Sequence, residues 1–405
     1  MRVLLLNQTF YPDLVATAQH MADLGRAMVR RGHGFEVIAS RSAYQQHEVL
    51  LPAYEDWRGI RIHRVGRSFF GKGTILQRLF DFAVFYVAAM FKALRVRRPD
   101  VVLCLTTPPF IVTVGWLLRL LRGCRLVYLV MDLYPDVPVA CGVIKAGGVP
   151  ARLLERVNRF CLRRADRTVV LGRCMRKRVE EKIGPADHVR LVTPWASAEE
   201  ITALAPGENR FRAEQRWADK FVVAYCGNFG LGHDMETLLS AVEDMSAEDG
   251  VLFAFVGGGA RLAEVQRRVA QRGLSNVSIL PYQARERLGE MLSAADVQLI
   301  SMREGIEGLI VPSKLYGIMA AGRPAVFVGP EGSEVARTIR EHACGAVVEC
   351  GDVTGLVEQL RWLRANPEAA AEMGRRARAA LEEHYEREGC CRRLMKVLAE
   401  AAGRR

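Results

Sequence analysis

Residues 301–329 read SMREGIEGLIVPSKLYGIMAAGRPAVFVG and carry the densest set of residues that could do chemistry. Ser313 and Lys314 follow Pro312 and open a short apolar helical pattern. The first turn of a helix has free N–H groups and a positive dipole end, so a serine and a lysine there suit a phosphate. Glu307-Gly308 stands in the loop just ahead. A carboxylate at that place can accept hydrogen bonds from sugar hydroxyls. A nucleotide-diphosphate sugar needs both features within one short reach. An ordinary strand–loop–helix crossover, with Ser313 as N-cap and Lys314 in solvent, would contain the same residues.

Three further clusters have chemical potential. Gly257-Gly258-Gly259 ends an apolar run and precedes a helical pattern, where glycine lets backbone approach a ligand closely; a tight turn would read the same way. Gly227, Asn228, Gly230 and Gly232 form a glycine-rich loop, and His233 follows as a phosphate donor or a helix-capping side chain. Asp132, just past an apolar run, can orient a hydroxyl or take its proton, or simply cap its loop. Thr106-Thr107-Pro108-Pro109 ends the preceding run.

The elements that must hold these residues are legible as a pattern. Apolar strands are expected at Val3–Leu6, Phe35–Ala39, Val101–Leu105, Leu126–Val130 and Thr168–Leu171. Helices are expected over 17–31, 75–97, 109–122 and 148–164. The second half repeats the grammar with strands at Phe221–Tyr225, Val251–Val256, Val277–Leu280, Val297–Ile300, Ala325–Gly329 and Ala346–Val348. Helices are expected from Met235, from Ala260 and over Cys390–Ala402. Alternation of this kind predicts an α/β class with two parallel, doubly wound domains. Thr193-Pro194-Trp195 breaks the regularity as a hinge between them.

Pieces in a fixed order carry a resemblance. They are Asn7-Gln8-Thr9-Phe10-Tyr11-Pro12-Asp13 with Ala16-Thr17-Ala18-Gln19-His20, then Met131-Asp132-Leu133-Tyr134-Pro135-Asp136 and Thr193-Pro194-Trp195-Ala196. Tyr225-Cys226-Gly227-Asn228-Phe229-Gly230, Phe255–Gly259 and the 301–329 segment complete the set. Across nearly its whole length the chain resembles the GT-B glycosyltransferases of family 4, in the branch for colanic-acid, capsule and O-antigen assembly.

The resemblance implies two Rossmann-like domains facing a central cleft. Residues 1–195 would bind the acceptor and 196–385 the nucleotide sugar, with 386–405 a helix crossing back to the first domain. It places Gly257 and Gly258 beside the nucleoside and the backbone of Pro281-Tyr282-Gln283 near the base, with Tyr282 either a stacking platform or a packing residue. Glu307 would sit beside the donor sugar and Asp132 near the transferred group. Ala16, Thr17, Thr106 and Thr107 would lie on the acceptor side.

The chain also departs from the family. Its usual Arg/Lys pair after the first glycine loop is absent; Lys314, Arg303 and loop N–H groups are the expected substitutes. Its second glutamate falls at Gly317, and Glu334 is the expected ribose contact in its place, unless it is a solvated helix-start carboxylate. Ala16-Thr17 replaces Gly-Gly in the first loop.

Length and composition agree with that reading. A chain of 405 residues that is 50% hydrophobic and 25% charged is globular and large enough for two cores. The start, MRVLLLNQTF, reads as a buried strand without a cleavage pattern. Ten scattered cysteines without a CxxC pair indicate reduced, cytoplasmic usage and no metal-ligand spacing.

Residues 1–198 hold 31 Lys and Arg against 15 Asp and Glu, and the remainder 26 against 30. The basic half fits an anionic membrane or a polyphosphorylated acceptor. No nucleic-acid module is visible. Between Arg58 and Arg98, basic residues flank Ser68-Phe69-Phe70-Gly71-Lys72 and Leu79–Phe91. That stretch would lie on lipid head groups at the inner face of the plasma membrane, or be a buried helix with a solvated arginine rim.

The expected function is transfer of a hexosyl- or N-acetylhexosaminyl-type sugar, with retention, from a nucleotide-diphosphate donor to a polyprenyl-diphosphate-linked glycan. The donor is a UDP-sugar on this reading, and neither cofactor nor metal is required. The alternatives are a GT-B nucleotide-sugar 2-epimerase, which needs no acceptor, and a non-catalytic GT-B partner subunit.

Overall fold

A computed structural model describes residues 1–43, 49–70 and 74–403. Gly71 and Lys72 of the basic-aromatic stretch therefore lie outside the described residues. The chain divides into two compact units. One is Met1–Thr193 together with the chain from Glu388 on, and the other is Pro194–Arg387.

The first unit contains β1 (Arg2–Leu6), β2 (Gly34–Ser40), β3 (Tyr54–Trp57), β4 (Ile60–Val65), β5 (Val101–Cys104), β6 (Arg125–Val130), β7 (Arg167–Val170) and β8 (Val189–Leu191). They form one sheet in the order β3-β4-β2-β1-β5-β6-β7-β8. All neighbours run parallel except β3 and β4. Parallel strands covered by helices on both faces read as continuous apolar runs, and Val101–Cys104 is buried throughout.

β3 and β4 escaped the sequence reading for a physical reason. β3 is a charged, half-exposed edge strand, YEDW, and β4 alternates Ile60 and Ile62 with polar residues. Its Arg64 is buried, because it pairs with Glu55 at 2.7 Å and donates to the Tyr11 carbonyl at 2.7 Å.

Connections of parallel strands are right-handed. The helices Ile75–Arg95, Val112–Arg122, Val149–Arg164 and Arg173–Ile183 therefore lie side by side on one face of the sheet. Thr74 and Gln77 form a capping box that starts the first of these. Asp81, which interrupts the apolar run, points inward and is buried. It accepts from Ser68 Oγ at 2.5 Å, Phe69 N at 2.9 Å and Phe70 N at 3.3 Å. The outward stripe is Leu76, Phe80, Val87, Phe91 and Leu94, all exposed. The alternative of a buried helix is thereby corrected, because an apolar stripe faces solvent; Arg78 and Arg95 of the expected arginine rim are exposed beside it. The 109–122 helix starts later than expected, at Val112, after two prolines that cannot donate.

The last helix, Arg387–Ala401, packs Leu394 and Leu398 into the first unit. Glu388 pairs with Arg30 at 3.1 Å and with Arg31, and Glu400 lies 3.3 Å from Arg190.

The second unit contains β9 (Phe221–Asn228), β10 (Val251–Gly258), β11 (Val277–Leu280), β12 (Val297–Ser301), β13 (Ala325–Val328) and β14 (Gly345–Val348). They are all parallel, in the order β11-β10-β9-β12-β13-β14. Tyr225, Phe253, Phe255, Leu238 and Leu360 share its core. Each such side chain contributes about 1.5–3 kcal/mol when taken fully out of water. Among the described residues no helix is long and apolar enough to cross a membrane.

Candidate functional site

In an open parallel sheet, ligands bind beyond the carboxyl ends of strands where the strand order reverses. In the second unit that point lies between β9 and β12. The loops leaving those two strands, 229–235 and 302–313, meet there. His233 follows the first and contacts the end of β12, its Nδ1 lying 2.6 Å from the Ser301 carbonyl. A carbonyl can only accept, so Nδ1 carries the proton and Nε2 is left as an acceptor. Burial, then the nearby Lys314 cation, pushes the imidazole down to about 3. In this geometry Nδ1 is engaged by Ser301, so the expected donation from His233 to a phosphate would have to come from Nε2.

Lys314 is the centre of this site. Its Nζ lies 3.7 Å from the centroid of the Tyr225 ring, a cation–π contact. The head is enclosed and has no hydrogen-bond partner among the described residues, although the residue as a whole is only half-buried. The alternative of a solvated lysine is thus overturned. Burial lowers its pKa to about 7. Cys226, beside it, is a neutral thiol that burial pushes up to about 12.

The helix that Lys314 opens has seven residues, and the Ser313 side chain caps none of its N–H groups. Enclosure against Tyr225 and Gly227, rather than a helix dipole, gives this lysine its character. Tyr225, Cys226 and Ser301 carried no expectation of a role. An aromatic residue just before a strand-ending glycine was the available signal.

Glycine is required around this head group. A Cβ on Gly227 would stand 3.7 Å from Lys314 Cε, and its φ is +124°. β9 and β10 pair as far as Gly227 with Gly257 and Asn228 with Gly258. Gly257 has φ +139°, and a Cβ there would lie 2.0 Å from the Gly227 carbonyl oxygen. No other residue fits so close an approach. Tyr282 lies over Gly258 and donates to its carbonyl at 3.1 Å while staying 41% exposed.

Arg303 is exposed; its backbone N donates to the Gly232 carbonyl at 2.9 Å and its guanidinium reaches the Leu231 carbonyl at 3.4 Å. Glu307 bridges to Ile310 within the same loop. Glu334 starts the helix after β13 and is 7% exposed, which corrects the alternative of a solvated carboxylate. Ser333 caps that helix by accepting from Ala336 N at 3.2 Å.

In the first unit the order reverses between β1 and β5. The loops leaving them are joined where Gln8 N donates to the Thr107 carbonyl at 2.7 Å. Thr9 and Thr17 hydroxyls share a hydrogen bond of 3.1 Å, and Ala16 begins a helix that runs to Arg30. Phe110 holds φ +66°, sparsely populated for an aromatic residue, and packs edge-on against Tyr134. Asp132 N donates to Thr106 Oγ1 at 3.2 Å. The Asp132 carboxyl makes no hydrogen bond or ion pair among the described residues; the residue as a whole is only half-buried, and desolvation pushes the carboxyl up to about 6. Asp132, Thr106 and Thr107 are thus brought together beside the Ala16-Thr17 helix start. Among the described residues no group of three His, Cys, Asp or Glu is arranged to hold a metal ion.

Two Rossmann-like units, each with polar residues gathered at its switch point, define the GT-B class. Residues 16–195 match the family described as Glycosyl transferase 4-like domain, and residues 208–380 match Glycosyl transferases group 1. A probable glycosyltransferase, WbjE of Pseudomonas aeruginosa, is 35% identical over 350 residues, covering 85% of this chain and 84% of the relative. WcaI of Escherichia coli (strain K12), a putative colanic acid biosynthesis glycosyl transferase, is 26% identical over 374 residues, 89% of this chain and 91% of WcaI. The chain belongs to the GT-B glycosyltransferases of family 4.

Solved structures share the fold at low identity. Sucrose-phosphate synthase from Thermosynechococcus elongatus superposes with a TM-score of 0.81 at 16% identity, over 99% of both chains. Anabaena Alr3699/HepE in complex with UDP-glucose superposes with 0.73 at 14%, over 99% of this chain and 100% of that one.

Proposed function

We propose that this glycosyltransferase moves a hexosyl-type sugar from a UDP-sugar to a hydroxyl of a polyprenyl-diphosphate-linked glycan during cell-surface polysaccharide assembly, with retention of configuration. The observation that carries the donor half is the enclosed, unpartnered Lys314 ammonium beside Gly227. A buried cation without an anion is costly, and a diphosphate supplies the missing charge. As the sugar–phosphate bond breaks, negative charge grows on the departing nucleoside diphosphate. Lys314 and the N–H groups of the 227–233 loop stabilise it there without reorganising, so no metal is required. On this reading Arg303 assists and Glu334 holds ribose hydroxyls. Glu307 orients the donor sugar.

On the acceptor side, Asp132 is poised to orient the incoming hydroxyl and take its proton. Family membership is the sole support for retention. A role in polysaccharide assembly is supported by the name of WcaI, which refers to colanic acid biosynthesis, and the nucleotide by the UDP-glucose bound to HepE.

The test is a thermal-shift screen of UDP-, GDP- and dTDP-sugars. A ligand at a hundred times its dissociation constant stabilises by about 2.7 kcal/mol. UDP-sugars should raise Tm and remain effective after chelation of divalent metals, and NMR of the product should show retained anomeric configuration. A chain that no nucleotide sugar stabilises is not a transferase of this kind.

Peripheral attachment to the inner face of the plasma membrane belongs to the same proposal. The excess of Lys and Arg in residues 1–198 and the exposed stripe from Leu76 to Leu94 support it. Anionic vesicles should sediment the chain at low salt and release it as salt rises, while neutral vesicles bind weakly. Equal binding to both would leave the basic surface as a solubility feature and move a soluble acceptor to the front.

A further inference from the structure

We infer that an open groove between the helices Val112–Arg122 and Val149–Arg164 takes the hydrocarbon chain of a membrane lipid phosphate, with Arg156 holding the phosphate. The groove has a volume of about 370 Å³ and is lined by Thr113, Trp116, Leu117, Arg156, Val157 and Phe160. Trp116 and Phe160 meet edge-to-face at 4.9 Å and form its aromatic wall. No carboxylate enters the lining.

Two observations select the occupant. The surface around the groove is apolar where solvent alone would favour polar residues. Leu117, Leu120 and Leu121 on one helix and Val149 and Leu153 on the other are all more than a third exposed. This patch continues onto the outward stripe of the neighbouring helix Ile75–Arg95. A hydrocarbon chain could therefore enter sideways from a bilayer.

Charge is the second observation. Arg152, Arg156 and Arg163 project from one exposed face, and their side chains make no ion pair or hydrogen bond among the described residues. Nearby arginines are already committed: Arg159 to Glu155 at 2.6 Å and Arg119 to Asp166 at 2.9 Å. Unpaired guanidinium groups at the rim of an apolar groove match phosphate above hydrocarbon, and Arg is suited to phosphate by its planar fork of donors. The groove lies on the helix that follows Thr106-Thr107, in the unit assigned to the acceptor. The choice of an isoprenoid chain rests on the proposed lipid-linked acceptor; the groove and its charge do not.

Farnesyl phosphate, kept below its micelle concentration, is the probe, and Trp116 emission is the reporter. The expected result is a saturable blue shift that Trp116→Phe removes. Arg156→Glu, at an exposed site, should raise the apparent Kd at least tenfold. Val157→Phe should fill the groove and abolish the shift, with its fold checked by thermal melting. Farnesol should bind at least tenfold more weakly than farnesyl phosphate, and inorganic phosphate should not displace the probe.

No saturable shift in the wild type, or unchanged titrations in both folded variants, overturns the inference. UDP-sugar calorimetry on the same preparation separates the two readings. Nucleotide binding without farnesyl phosphate binding removes the groove and keeps the donor site. Farnesyl phosphate binding without nucleotide binding does the reverse.

Discussion

The two units build the same topological feature and fill it with opposite chemistry. At the β9/β12 switch point of the second unit stands an ammonium group, Lys314, over an aromatic ring and beside glycine. Next to the β1/β5 switch point of the first unit, just past the end of β6, stands a carboxyl group, Asp132, beside a threonine hydroxyl. Burial acts on both in the direction that opposes charge. It lowers the lysine to about 7 and raises the aspartate to about 6. Both groups therefore titrate near neutrality, and for neither is a neighbouring counter-ion the cause. One site holds a cation without an anion, and the other a carboxyl without a cation. Under the proposed function, the first would stabilise a leaving diphosphate and the second would activate a hydroxyl.

The largest effect should come from the carboxyl side. Asp132→Asn should lower turnover about a hundredfold, in the range of a lost general base. A base works only when ionised, so wild-type activity should rise as pH increases through about 6, and the variant should lose that limb. A pH–rate profile unchanged in shape, with full activity, would remove Asp132 from the chemistry and leave it as a loop residue.

Lys314→Ala should lose at least tenfold in kcat/KM, on the order of 1.4 kcal/mol or more. The empty protein gives a second and independent readout. A lysine whose folded pKa lies below its unfolded value binds fewer protons folded than unfolded between the two. Stability of the ligand-free chain should therefore rise from about pH 7 toward pH 10, and Lys314→Met should flatten that rise. Melting curves across that range check it. Wild-type kinetics in Lys314→Ala would break the contrast between the two switch points.

The smallest effect should be at Glu307. Glu307→Gln should slow turnover about fivefold while leaving binding of the free nucleoside diphosphate nearly intact, if the side chain orients the sugar as proposed. Calorimetry showing equal loss of both would move Glu307 to the nucleotide.

Much of this architecture was readable before any coordinates, and the misses have a common form. The strands of the second unit were found because parallel strands covered on both faces are apolar throughout. β3 and β4 were missed because one is a charged edge and the other buries an arginine. Asp81 looked like an interruption of an apolar helix, but it ties down residues 68–70. Glu334 and Lys314 were legible as candidates by position, while their enclosure was not. His233 was found, but the proton it holds was set by a carbonyl 68 residues away, Ser301.

The sequence by itself determined the class, two α/β units, and the glycines at the ends of β9 and β10. These depend on local periodicity and on backbone conformations that only glycine adopts freely. It also determined the charge imbalance between the halves. Tertiary structure alone decided strand order, and with it where the switch points fall. It decided that Lys314 meets the Tyr225 ring, that Asp132 is desolvated, and that the outer stripe of Ile75–Arg95 is left exposed. Each of those is a matter of burial, and burial is set by which distant segments pack together rather than by the residues next in the chain.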